Sequence, residues 1–169
     1  FLLEKILKQA IASTSKEENE GYYYFFQAVN ESMEENYSKS AFYLKKAIEY
    51  LDNILFDPFK DPSYTELNLF YIEMLATSGE IKKAKDWLKK IVKKYDENPN
   101  ANYTELLRLY WIGYLLDTYE DGNSSYLIKL TNLVNASSFQ YGRFDLEYND
   151  QVKTYFELAI LQAESLSDM

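Results

Sequence analysis

Apolar residues recur every three to four positions along most of the chain, and the clearest stretch runs from Ser63 to Tyr95. Leu67, Phe70, Tyr71, Met74 and Leu75 make one stripe, and Ile81, Ala84, Leu88, Ile91, Val92 and Tyr95 make a second. That spacing predicts two amphipathic helices. Ser63 and Glu66 stand in the S-x-x-E arrangement that satisfies the free N–H groups of a helix start. Gly79, between the stripes, suits the left-handed conformation that ends a helix. Two such helices joined by so short a turn fold back antiparallel and pack stripe to stripe.

The remaining chain reads the same way. Leu2, Leu3, Ile6, Leu7, Ala10 and Ile11 predict a helix over 1–13. Ser15 and Glu18 cap the next, which carries the run Tyr22-Tyr23-Tyr24-Phe25-Phe26 and continues to about Glu35. Five consecutive aromatics span more than one helical turn, so they cannot all face one core. Asn36 is the expected N-cap of a helix that buries Ala41, Leu44, Ala47, Ile48, Leu51 and Leu55 and stops before Pro58 and Pro62. After the turn Asp96–Asn100, the phrase Tyr64-Thr65-Glu66-Leu67 returns as Tyr103-Thr104-Glu105-Leu106, behind a capping Asn102. That helix runs to about Tyr119, and its partner over 123–137 repeats the Leu88, Ile91, Val92 pattern at Leu130, Leu133 and Val134. Residues 138–148 are irregular. Val152, Tyr155, Phe156, Ala159, Ile160, Ala163 and Leu166 give a last helix over 149–167. Nothing alternates with period two for long enough to make a sheet. The expected class is all-α, with about eight helices in one domain spanning 1–169.

Composition narrows the chemistry. The 169 residues are 47% hydrophobic with three prolines and five glycines, enough for a helical core without staples. There is no cysteine, so no disulfide framework or thiolate chemistry, and no histidine, the commonest general base and metal ligand. A net charge of −9 argues against nucleic acid or an anionic membrane as partner. No apolar run approaches the roughly 20 residues of a transmembrane helix. The numbering opens at Phe1 rather than a methionine, so the compartment is left open: cytoplasmic by default, with an exported or anchored form as the alternative.

The hairpins resemble tetratricopeptide repeats, which place small residues where two helices of a unit cross. The resemblance covers about 16–137, with 1–13 and 149–167 as flanking and capping helices. In the first hairpin Tyr24 fills the leading aromatic slot, Ala28, Ser40 and Ala47 the small-residue positions, and Leu44 the position between. The second matches at Tyr71, Leu75, Gly79, Ala84 and Leu88, and departs at Asn68, where an aromatic is usual, and at Ile72, where a small residue is usual. In the third, Leu127 replaces the usual alanine and the turn is longer. The resemblance implies a right-handed superhelix of antiparallel hairpins whose first helices line a concave groove for a partner protein or peptide. Carried over by position, that groove takes Tyr22, Phe25 and Val29, then Leu69 and Glu73, then Arg108 and Ile112. Glu66 and Glu105 hold equivalent positions, but helix capping already explains both. The groove lacks the Lys and Asn set with which some members grip a terminal carboxylate.

Other features carry less. Seven lysines from Lys82 to Lys94 read as the solvated face of an amphipathic helix, with a patch for an acidic partner or a phosphate backbone as the alternative. Five N-x-S/T sequons, at Asn30, Asn36, Asn102, Asn123 and Asn135, could carry glycans in an exported protein, but three of them, Asn36, Asn102 and Asn123, fall at expected helix caps, and capping with chance accounts for them. No nucleophile–base pair built on histidine or cysteine exists, and no phosphate-cradling glycine loop, so neither catalysis, cofactor nor metal is expected. The expected role is a non-enzymatic interaction module or scaffold. The alternatives are a self-associating helical subunit and, behind it, a small-molecule binder or carboxylate enzyme with a tyrosine-rich pocket.

Overall fold

The computed structural model describes residues 20–53, 62–98, 103–118 and 125–137. These form six helices: α1 (Glu20–Met33), α2 (Tyr37–Asn53), α3 (Pro62–Thr77), α4 (Ile81–Asp96), α5 (Tyr103–Thr118) and α6 (Ser125–Ser137). No strand occurs among the described residues, and the class is all-α. The count is six rather than about eight, because the helices expected over 1–13 and 149–167 lie outside the described residues. The same holds for the caps expected at Ser15, Asn102 and Asn123 and for the irregular stretch 138–148. One boundary moves: α3 starts at Pro62, which puts Ser63 within the first turn instead of ahead of it. Proline favours the first helical position because its missing N–H would have no partner there and its φ is already helical.

Two of the helix connections are built alike. After α3, Gly79 N–H donates to Ala76 O at 3.0 Å and Glu80 N–H to Leu75 O at 2.8 Å, with Gly79 at φ 85°. This is a Schellman turn, which pairs the last free carbonyls of a helix. After α1, Glu35 N–H donates to Ser32 O at 3.1 Å and Asn36 N–H to Glu31 O at 2.8 Å, with Glu35 at φ 59°. In each case the closing residue also opens the next helix: Asn36 O accepts from Ser40 N–H at 2.9 Å, and Glu80 O from Ala84 N–H at 3.1 Å. Hydrogen bond for hydrogen bond, the second turn repeats the first 44 residues on. Between α5 and α6 the gap is six residues (119–124) against three in each of these turns.

The chain divides into two compact units, 1–87 and 88–169, the boundary falling within α4. In the first unit α2 packs on α1 and on α3. Ala28 and Ser40 are fully buried, and Ser40 Oγ donates to Ala28 O at 2.7 Å, so the hairpin closes where both side chains are small. A Cβ at Gly21 would lie 2.7 Å from the Tyr50 ring. Leu44, Ala47, Ile48, Leu67 and Ile72 complete this core. In the second unit α5 packs on α6, with Leu107, Leu109 and Leu130 buried. Here the small residue is Gly113, whose Cβ would meet the Tyr126 ring at 2.6 Å.

Candidate functional site

α1 carries apolar side chains on two faces. One face, Gly21, Tyr24, Ala28 and Glu31, is buried. The other holds Tyr22, Phe25, Phe26, Val29 and Met33, which fall within an arc of about 100° at helical spacing. On that second face Tyr22 is 62% exposed and Met33 43% exposed, while Phe25, Phe26 and Val29 are half-buried. The five-aromatic run is thereby divided. Tyr24 stacks on Tyr43 with centroids 6.2 Å apart, Phe25 and Phe26 lie 6.0 Å apart, and Tyr22 faces outward.

The other groove positions sit on the first helices of the later hairpins. Leu69 is half-buried and Glu73 exposed, one turn apart on α3. Arg108 and Ile112 are half-buried, one turn apart on α5. Each set is contiguous along its own helix. Arg108 lies 3.6 Å from Glu105, whose carboxylate is largely buried, so this guanidinium is already engaged by its i−3 neighbour. Glu66 is exposed.

Three polar links, two of them centred on buried side chains, had no counterpart in the sequence reading. Glu31, 5% exposed, accepts from Asn36 Nδ2 at 3.1 Å and pairs with Lys39 at 2.5 Å. The Glu31 carboxylate holds the Lys39 ammonium above its ordinary pKa. Asn36 therefore opens α2 through its carbonyl and directs its amide back to α1. Asn68 is fully buried; its Nδ2 donates to Tyr64 O at 2.8 Å, and its Oδ1 accepts from Trp87 Nε1 at 2.9 Å. The departure from the aromatic usual at this position is thus a bridge to a tryptophan, which also meets Tyr71 edge-on at 5.0 Å. In the second unit Asp96 accepts from the Tyr110 hydroxyl and pairs with Lys129 at 2.5 Å. Lys129 also lies 5.2 Å above the Tyr110 ring. Burial first, and then the Asp96 hydrogen bond, push the Tyr110 hydroxyl above its ordinary pKa, while burial raises Tyr126.

On α4, Ala84, Leu88, Ile91, Val92 and Tyr95 are buried, and Lys82, Lys83, Lys89, Lys90, Lys93 and Lys94 are exposed. Lys83 pairs with Glu80, and Lys93 with Glu97 at 3.7 Å. This is the division of an amphipathic surface helix. Among the described residues, no three carboxylates gather where they could hold a metal, and no helix is long and apolar enough to cross a membrane. No family model, curated protein or solved structure matches the chain.

Proposed function

We propose that the chain is built of about three tetratricopeptide-like hairpins, and that it binds another protein through the first helices of those hairpins, α1 foremost. The observation that carries this reading is the outward apolar face of α1, with Tyr22 and Met33 exposed beside half-buried Phe25 and Val29. Isolated exposed apolar residues are ordinary, whereas a contiguous stripe marks an interaction surface. Recurrence supports the array. The same turn appears 44 residues apart, and the ring contact Tyr71–Trp87 at 5.0 Å returns 39 residues on as Tyr110–Tyr126 at 6.3 Å.

Phe25, Leu69 and Arg108 hold one position of the unit, and Val29, Glu73 and Ile112 the next. Tyr22 and Phe25 act as anchors, since aromatic side chains dominate the energetics of protein interfaces. Affinity capture from a lysate of the source cells tests this by comparing wild type with Tyr22→Ala/Phe25→Ala at matched helicity and melting temperature. A specific protein retained by the wild type and lost by the folded variant is expected. Equal recovery by both would overturn the assignment.

A further inference from the structure

The stripe on α1 also limits what can lie on it. Tyr22, Phe26, Val29 and Met33 are spaced i, i+4, i+7 and i+11, the interval at which one helix presents its seam to another. An extended peptide has side chains that alternate with period two and would not follow this seam for three turns. The charge beside the stripe is mainly acidic. α1 has no lysine or arginine; Glu34 and Glu35 stand exposed at its C-terminal end, with Lys39 of α2 paired to Glu31, and Glu20 at its start accepts from the Tyr24 hydroxyl at 3.1 Å. A second copy of α1 would bring like charge to like charge, which an interface disfavours. From this, and resting on the binding role proposed above, we propose that the occupant is a basic amphipathic helix of a partner protein. It docks along α1 with apolar residues on Tyr22, Phe26, Val29 and Met33 and with lysines or arginines facing the flanking glutamates.

Helix-in-groove recognition of this kind is read through anchors at i, i+3/i+4 and i+7. The exposed anchors can be changed without opening the core, which makes the test clean. The probe is a fluorescein-labelled synthetic helix of three heptads with leucine at the a and d positions and lysine at e and g. Its control has glutamate in place of each lysine. Binding to the full chain is followed by anisotropy at fixed ionic strength. The lysine helix should bind at least about tenfold more tightly than the glutamate helix, the ratio that about 1.4 kcal/mol of discrimination gives. Tyr22→Ser/Met33→Ser should weaken it by a similar factor. Phe42→Ser, a change of a 54% exposed ring on α2 away from the stripe, should leave it unchanged.

No binding of the lysine helix, equal binding of both helices, or equal loss in the Phe42→Ser variant would each overturn the proposal. Dimerisation of the chain alone that is lost in Tyr22→Ser/Met33→Ser would assign the stripe to a second copy, and would overturn it too. If the synthetic helix fails while a captured protein still depends on Tyr22 and Phe25, the binding role stands and the helical, basic partner does not.

Discussion

Glu35 and Gly79 occupy the same corner of two equivalent turns, at φ 59° and 85°. Only one of them suits it. A side chain in the left-handed region crowds the following carbonyl and costs about 1–2 kcal/mol, while glycine takes it freely. Glu35→Gly should therefore raise stability by about 0.5–1 kcal/mol, the gain being trimmed by the freer unfolded chain. Gly79→Ala should lower it by about 1 kcal/mol. No atom lies within 4 Å of a Cβ at Gly79, so the second change reports backbone conformation alone. Denaturant melts of both variants check the pair, and a loss of stability in Glu35→Gly would contradict the shared turn. At Asn68 the expectation is different in kind. Asn68→Ala leaves the Trp87 indole N–H without its acceptor, at about 1–3 kcal/mol. Trp87→Phe removes the donor as well, and a double-mutant cycle should show strong non-additivity.

At the scale of the helix, the buried stripes were legible in the sequence because 3.6-residue periodicity needs only residue types. Leu67, Tyr71, Met74 and Leu75 on α3, and Ala84, Leu88, Ile91, Val92 and Tyr95 on α4, are buried as that spacing demands, while Phe70 and Ile81 of the same stripes are half-buried. Gly79 was legible too, since a lone glycine between two stripes has one obvious use. Glu35 was not, because nothing about a glutamate advertises positive φ. Glu31, Asn68 and Asp96 were hidden for a related reason. Each is buried or bridged by a partner on another helix, and their spacings, five to 33 residues, follow no local period. The small-residue crossing was found in the first hairpin at Ala28 and Ser40. In the third it had moved to Gly113, under Tyr126, where no repeat position called for it. Gly113→Ala should force the Tyr126 ring aside and cost about 1–3 kcal/mol as an overpacked contact. Thermal denaturation with tyrosine fluorescence as the probe would register both the lost stability and the displaced ring.

For the molecule as a whole, pH gives a test of the second unit that needs no partner. Burial and Asp96 raise the Tyr110 hydroxyl above its ordinary value of 10.0, so the unfolded chain releases this proton first. The stabilisation is complete below pH about 10 and declines as pH rises above it, because proton loss then favours the unfolded state. Tyr110→Phe should flatten that decline, and an unchanged slope would show that the raised hydroxyl does not contribute. Charge also separates the two candidate surfaces. The seven lysines of α4 sit on a chain of net charge −9, whereas α1 itself carries no lysine or arginine. Partner binding is proposed for α1, and the lysines of α4 at 82, 83, 89, 90, 93 and 94 are exposed to solvent.

The most direct measurement is photo-cross-linking in a lysate of the source cells. A benzophenone side chain replaces Tyr22 on α1 in one sample and Lys89 on α4 in the other. A discrete protein adduct from position 22 with none from position 89 is the predicted result. An adduct from position 89 alone, or the same adducts from both, would contradict the account.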